Sequence, residues 1–115
     1  MQVLKLAAHL ESVMDIFAYE GFVYYTCAQS HYLYKCNHLF ERIKSIRLLK
    51  EINKFAISGS RIFTMSLNDH HIYIYNMDGL LLHEVVIFDK DDRLNYFIIV
   101  KKRSRLYLHS FVKIY

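Results

Sequence analysis

The sequence predicts an all-β fold in which a unit of about 40 residues occurs more than once. The first observation is a repeat, because residues 17–26 match residues 55–64 at Phe, Ala, Gly and Thr with a constant offset of 38 residues. Residues 31–37 match residues 70–76 at an offset of 39. The second observation is composition: the 115 residues include ten Tyr and eight Phe but no Pro. Aromatic and β-branched side chains favour sheets, so the composition supports strands in each unit.

A repeat of this length made of several short strands is typical of β-propeller blades, each of which is a four-stranded antiparallel sheet. The first predicted blade spans residues 12–50. Its turns contain Glu20-Gly21 and Gln29-Ser30, residue types that favour turns. Its strands are predicted at residues 12–19, 22–27, 32–36 and 40–48.

The second predicted blade spans residues 51–92 and has stronger turn signals. Ser58-Gly59-Ser60 separates its first two strands, and Asn68-Asp69 precedes the third. Asp78-Gly79 is the strongest short hairpin signal in the chain. The strands are predicted at residues 52–57, 61–67, 71–75 and 80–88, with a solvated loop at 89–92.

A third, partial blade is predicted over residues 93–115. Its strands cover residues 95–100, 105–109 and 111–115, with a turn at 101–104. Residues 1–11 contain a further apolar stretch in the position of a missing fourth strand, so the two ends of the chain are expected to form one mixed blade. All 115 residues are treated as a single repeat domain.

An α+β fold with a helix around residues 39–55 is the alternative. Apolar side chains in this segment recur close to a helical spacing. They are Leu39, Phe40, Ile43, Ile46, Leu48, Leu49 and Ile52. The repeat favours a strand, because residues 39–46 occupy the same place as residues 80–87, which follow the Asp-Gly turn.

The order of turns resembles that of WD40-type propeller blades. In that family a glycine turn follows the first strand, an Asp or Asn turn follows the second, and the third strand carries alternating apolar residues. Residues 52–59, 61–69 and 71–79 match this order, and Tyr75-Asn76 stands where the family usually shows Trp-Asp. The Gly-His and Trp-Asp dipeptides of the family are absent. The resemblance implies a non-enzymatic protein-interaction module or adaptor.

The number of blades predicts a partner. Propellers close with about four to eight blades, whereas this chain supplies two and part of a third. Uncovered sheet faces and edges promote association. We therefore expect another protein, or a second copy of the chain, to complete the propeller within a larger assembly.

No motif indicates an enzyme or a cofactor, since the sequence has neither a nucleophile elbow nor a glycine-rich phosphate loop. Three groups of polar residues are interpreted as structural. Cys27, His31, Cys36 and His38 lack the tight ligand pairs of zinc sites. Asp69-His70-His71 would place its two imidazoles on opposite faces of a strand, and Asp89, Asp91 and Asp92 lack the spacing of a calcium loop.

A basic run is the candidate for contact with nucleic acid. Four cations occur within five residues, and the net charge of the chain is +4. Such a turn could contact phosphates, with Tyr96 or Tyr107 stacking on a base. The alternative function is therefore a small basic protein bound to RNA or to a ribonucleoprotein such as the ribosome. The four residues are Lys101, Lys102, Arg103 and Arg105.

The abundant tyrosines also favour a protein interface, because aromatic side chains and Arg are enriched in binding hot spots. The N-terminus does not have the pattern of a signal peptide, and no membrane contact is expected. Two cysteines do not make a disulfide framework, so we expect a cytoplasmic or nuclear protein.

Overall fold

The computed structural model describes residues 13–66 and 69–112, with side chains described as far as residue 102 except at residue 99. This part of the chain forms eight strands followed by one helix. The elements are β1 Val13–Tyr19, β2 Phe22–Cys27, β3 Tyr32–Cys36, β4 Arg42–Arg47, β5 Lys54–Ser58, β6 Arg61–Met65, β7 His71–Asn76, β8 Leu81–Val86 and α1 Lys90–Val112.

The strands form two antiparallel sheets in simple sequence order, β1-β2-β3-β4 and β5-β6-β7-β8. We call them the first blade and the second blade. The mostly β fold with two four-stranded blades confirms the predicted fold class. The alternative helix around residues 39–55 is wrong, because β4 and β5 lie in this segment. Of its apolar residues, Ile46, Leu48 and Ile52 are buried. Leu39, Ile43 and Leu49 are exposed.

Both blades contain the same β-hairpin. Between β3 and β4, Asn37 Oδ1 accepts hydrogen bonds from the backbone N–H groups two and four residues further along, at 2.9 and 3.0 Å. Between β7 and β8, Asn76 Oδ1 accepts from the N–H groups at the same two positions and the same distances. The two asparagines are 39 residues apart, so the hydrogen bonding of the backbone reproduces the repeat seen in the sequence.

The two blades pack face to face through one core. The rings of Phe17 on β1 and Phe55 on β5 meet edge to face with centroids 6.2 Å apart. The Tyr19 hydroxyl accepts a hydrogen bond from the backbone N–H of Ser60 in the β5–β6 turn at 3.0 Å. The buried core also includes Tyr24, Leu33, Ile46 and Leu48 of the first blade and Ile57, Ile62, Ile72 and Tyr75 of the second.

The predicted third blade is wrong for residues 93–112, which form helix α1 instead of strands. The helix begins with a side-chain cap, because Asp89 Oδ1 accepts a hydrogen bond from the backbone N–H of Asp92 at 3.0 Å. Asp91 and Asp92 add negative charge to the first turn, where the helix dipole favours it. The predicted solvated loop is thus a helix start. The stretch at residues 1–11, expected to supply a strand of a mixed blade, lies outside the described residues.

Helix α1 crosses the second blade and reaches the first. Near its start, Arg93 Nη1 donates to the backbone carbonyls of Ile87 and Phe88 at 2.7 and 3.0 Å, just after β8. The helix then contacts β5, and Lys101 Nζ is 3.2 Å from Asp15 Oδ2 on β1. Phe97 and Val100 are buried in the common core. No helix within the described residues is long and apolar enough to cross a membrane.

Candidate interaction surface

The first blade has one face packed on the second blade and one face that is partly exposed. Successive side chains of a strand point to opposite faces, so Phe17 and Tyr19 point toward the second blade while Ile16 and Ala18 point away from it. Of the aliphatic side chains on the outward side, Met14 is 42% exposed, Ile16 45% and Ile43 51%. We call this side the open face. Its residues are Met14, Ile16, Ala18, Val23, Tyr25, Cys27, Tyr32, Tyr34, Cys36, Arg42, Ile43, Ser45 and Arg47.

A row of three tyrosines runs across the centre of the open face, with Tyr25 buried at 1% exposure and Tyr32 and Tyr34 partly exposed. Tyr25 on β2 is opposite Tyr34 on β3 in the strand register, and their ring centroids are 5.2 Å apart. Tyr32 lies two residues from Tyr34 on the same strand, and these two rings stack with centroids 6.0 Å apart. The spacing follows from strand alternation, which places every second side chain on the same face.

Two arginines from β4 lie over this row. The Arg42 guanidinium carbon is 3.8 Å from the centroid of Tyr34, and Arg42 Nη2 donates to the Tyr25 hydroxyl at 2.8 Å. Arg47 is placed less closely, with its guanidinium carbon 5.7 Å from the Tyr32 centroid and Nη1 3.5 Å from the Tyr32 hydroxyl. Stacking on an aromatic ring holds a guanidinium in place while its edge stays available for hydrogen bonds.

The electrostatics of the row favour a neutral tyrosine beside a charged arginine. Burial raises the pKa of Tyr25, and the hydrogen bond and charge of Arg42 offset only part of this effect. The same hydrogen bond raises the pKa of Arg42 further, against a smaller opposing effect of burial. Within the described residues, no carboxylate pairs with the guanidinium of Arg42 or Arg47. The open face therefore presents two positive charges on an aromatic and aliphatic surface.

The two cysteines both lie on the open face but far apart. Cys36 is opposite Val23 in the register, and Val23 is four residues from Cys27 on the same strand, a separation of about 13 Å. Burial raises the pKa of the Cys36 thiol, and nearby Arg42 lowers it by less. In the part of the chain that is described, no three potential ligands come together as a metal-binding group.

The two adjacent histidines have different neighbours, as strand alternation predicted. The His71 ring stacks on Tyr73 with centroids 5.5 Å apart, while His70 contacts Phe88. Asp69 accepts a hydrogen bond from the Tyr73 hydroxyl at 2.6 Å and another from the backbone N–H of His71. Burial alone would raise the pKa of the Asp69 carboxyl, but these hydrogen bonds outweigh it, and the pKa falls below its usual value. The cluster thus fixes the turn that enters β7.

The basic run forms part of helix α1, so the prediction that it is a turn is wrong. Lys101 is half-buried and bonded to Asp15, whereas Lys102 is exposed. Arg103 and Arg105 continue the same helix. The structure therefore assigns Lys101 to the contact between α1 and β1, and nucleic-acid binding by this segment stays a prediction.

A shallow groove of about 400 Å³ lies at the outer rim where the two blades meet. Exposed side chains of Leu49 and Leu80 border it, and Arg47 connects it with the open face. Its lining residues are Arg47, Leu48, Leu49, Gly79, Leu80 and Leu81. The groove extends the apolar surface around Arg47 and has no constellation of polar groups that would orient a small substrate.

Sequence reasoning identified tyrosine and arginine as interface residues in general but did not locate this row. The signal was present, because Tyr32 and Tyr34 alternate within one strand. The pairing with Tyr25 and Arg42 depends on the register between strands, and a bulge between β3 and β4 places Arg42 opposite Cys36.

Comparisons with known proteins support the fold. No family model and no curated protein matches the chain. A solved structure described as the AfRom2 CNH domain matches with a TM-score of 0.51 and 21% sequence identity. The match covers 72% of this chain and 28% of that structure, so the chain spans little more than a quarter of the length of the domain it resembles. At this identity the likeness concerns the fold alone. Two four-stranded antiparallel sheets and a CNH-domain neighbour together show a β-propeller-like arrangement of blades.

Proposed function

We propose that this chain is a non-enzymatic protein-interaction module with WD40-like blades, and that it acts as a subunit or adaptor in a larger assembly. Another protein docks on the open face of the first blade. The observation that carries the proposal is this face itself, where exposed aliphatic side chains surround a row of tyrosines and arginines. Aromatic residues and Arg dominate the energetics of protein interfaces, so the composition of the face is that of a binding hot spot.

Burial of the face would contribute a useful driving force. Full burial of an aliphatic side chain stabilises by roughly 1.5–3 kcal/mol, so each of the half-exposed residues Met14, Ile16 and Ile43 would add about 1 kcal/mol. The partly exposed rings of Tyr32 and Tyr34 contribute further apolar area with little loss of side-chain freedom, because they stack on each other and Arg42 covers Tyr34. A docked surface would thus bury an already ordered site.

The place of the face in a propeller supports the same role. Consecutive blades of a propeller pack face to face, as the two blades do here. The open face of the first blade is where a preceding blade would lie in such a ring. We propose that the partner supplies a blade, or an equivalent apolar surface, at this position.

The RNA alternative has less support from the described residues. Lys101 is bonded to Asp15, and the guanidinium of Arg42 already covers the ring of Tyr34, which limits its use as a platform for a base. Exposed Met14, Ile16 and Ile43 also favour a partner with apolar surface over a phosphate backbone.

Site-specific photo-crosslinking tests the proposal. A benzophenone amino acid replaces Ile16 on the open face, and a matched control replaces Ile98 on α1, an isoleucine of similar exposure. We expect a discrete cross-link to another protein from position 16 and none from position 98 in the native cell. The cross-link from position 16 should be lost when Ile43→Lys is added and retained when Ile98→Lys is added.

Circular dichroism of each variant confirms that the fold is intact. Equal cross-linking from both positions, or a cross-link that survives Ile43→Lys in a folded protein, would contradict docking on the open face.

A further inference from the structure

We infer that the partner on the open face is a protein that presents carboxylates, arranged along an extended strand, to Arg42 and Arg47. The inference rests on the proposed function and adds the chemical class of the partner. It starts from the two guanidinium groups, which have no carboxylate partner among the described residues although both are exposed. A carboxylate can accept two parallel hydrogen bonds from one guanidinium, which gives both energy and geometric specificity.

The two arginines are held before any partner arrives. Arg42 stacks on Tyr34 and donates to the Tyr25 hydroxyl, which uses one of its five N–H donors. Arg47 contacts Tyr32. Because less side-chain freedom is lost on binding, a carboxylate gains more from such a group than from a free surface arginine.

The positive charge of the open face favours a partner whose surface is negatively charged. The described residues of this face include two arginines and neither Asp nor Glu. Two copies of the chain that met symmetrically through this face would bring four guanidinium groups together without a counter-charge. Electrostatic complementarity therefore favours a different, acidic protein surface over a symmetric dimer.

The spacing of the arginines indicates an extended segment. Arg42 is opposite Cys36 and Arg47 is opposite Tyr32, four residues apart on β3, and their guanidinium groups contact neighbouring rings. Side chains at every second position of a strand share one side and are about 7 Å apart. Carboxylates two or four residues apart on an extended strand thus match the arginines, while apolar residues at such positions would cover the tyrosine row.

The probe is a fluorescently labelled peptide in which threonine occupies every second position and glutamate alternates with valine at the positions between, so that glutamate and valine share one side. It is compared with a peptide in which lysine replaces each glutamate. We expect the glutamate peptide to bind the full chain at least about tenfold more tightly in fluorescence anisotropy, and to weaken with added salt. The double variant Arg42→Gln/Arg47→Gln should lose about tenfold in affinity. The control Lys54→Gln/Arg61→Gln removes the same charge from exposed positions of the second blade and should bind normally.

Several results would overturn the inference: equal binding of both peptides, equal loss in both double variants, or a dimer in light scattering that Arg42→Gln/Arg47→Gln dissociates. Tight binding of a uridine-rich RNA oligonucleotide that the same variant abolishes would assign the face to nucleic acid. The cross-link from position 16 separates the two proposals. If it persists while neither peptide binds, docking stands and the acidic partner is wrong; if it is absent, the proposed function itself fails.

Discussion

At the scale of single residues, Gly79 lies where the second hairpin passes close to the backbone of the first blade. The equivalent position of the first hairpin is Phe40, which holds a φ of 59°, so the turn itself accepts a side chain. Gly79 has a φ of 93°, and a Cβ there would lie 2.5 Å from the backbone oxygen of Arg47. The second hairpin therefore needs glycine because β4 of the neighbouring blade passes so close.

Replacement of Gly79 tests this contact. Gly79→Ala should lower the free energy of unfolding by about 2–4 kcal/mol, because left-handed backbone strain adds to a clash with Arg47. Gly59→Ala is the matched control, since Gly59 also has a positive φ but its Cβ would meet nothing within 4 Å. The Gly59→Ala variant should lose only about 1 kcal/mol of unfolding free energy, measured by urea denaturation. Equal losses would show that the backbone conformation, and not the neighbouring blade, selects glycine at residue 79.

Deprotonation of Tyr24 makes the free energy of unfolding depend on pH in the alkaline range. Burial, followed by the nearby charge of Glu20, raises its pKa from 10.0 to about 12. The unfolded chain releases this proton near pH 10, so the stabilisation is fully present below that pH and is lost as the pH rises toward 12. We expect the free energy of unfolding to fall across this interval and Tyr24→Phe to make the fall shallower. An unchanged slope in the variant would contradict the assignment.

At the scale of elements, the segment that forms α1 carries signals for both a strand and a helix. Residues 95–100 are rich in aromatic and β-branched side chains, which favour strands. The helix is selected by the Asp89 cap and by the spacing of Arg93, Phe97 and Val100, which places their side chains on one buried side. This spacing includes a buried arginine, which obscured the apolar pattern in the sequence.

Neighbouring side chains on α1 should respond very differently to truncation. Phe97 is buried in the core, whereas Ile98 is half-exposed. Phe97→Ala should cost about 3–5 kcal/mol of stability, because it leaves a cavity between the helix and the second blade. Ile98→Ala should cost less than about 1 kcal/mol. Chemical denaturation of both variants checks this, and similar losses would mean that α1 does not pack as described.

At the scale of the whole molecule, the two blades and the helix share one core. Asp15 of the first blade accepts hydrogen bonds from the Phe55 backbone N–H of the second blade and from Lys101 of α1, at 3.0 and 3.2 Å. The exposed ion pair between Lys44 and Asp78 adds little by comparison, since surface pairs contribute at most about 1 kcal/mol. Burial and shared hydrogen bonds therefore join the three parts.

We expect the protein to unfold in a single cooperative transition. Neither blade can lose its partner without exposing the Phe17–Phe55 contact and the core around it. Far-ultraviolet circular dichroism and tyrosine fluorescence should give coincident denaturation curves, and the absence of Trp leaves tyrosine as the fluorescent probe. Two separated transitions would show that the blades are independent units.

The eight strands of the two blades could be predicted from the amino-acid sequence, because periodicity, turn residues and the repeat are local properties. Turn signals such as Asn76 and Asp78-Gly79 act through hydrogen bonds within a few residues, so they can be read directly. The same applies to the separation of His70 from His71. Local signals also marked the start of α1, but they competed with strand preference.

The open face of the first blade, and the contacts between its tyrosines and arginines, could not be predicted because they depend on how the strands and sheets pack. Tyr25, Tyr34 and Arg42 are distant along the chain and come together through strand register and a bulge. Likewise, Lys101 belongs to a basic run in the sequence but bonds to Asp15, 86 residues away. Such partners are set by packing between elements, which local preference does not encode.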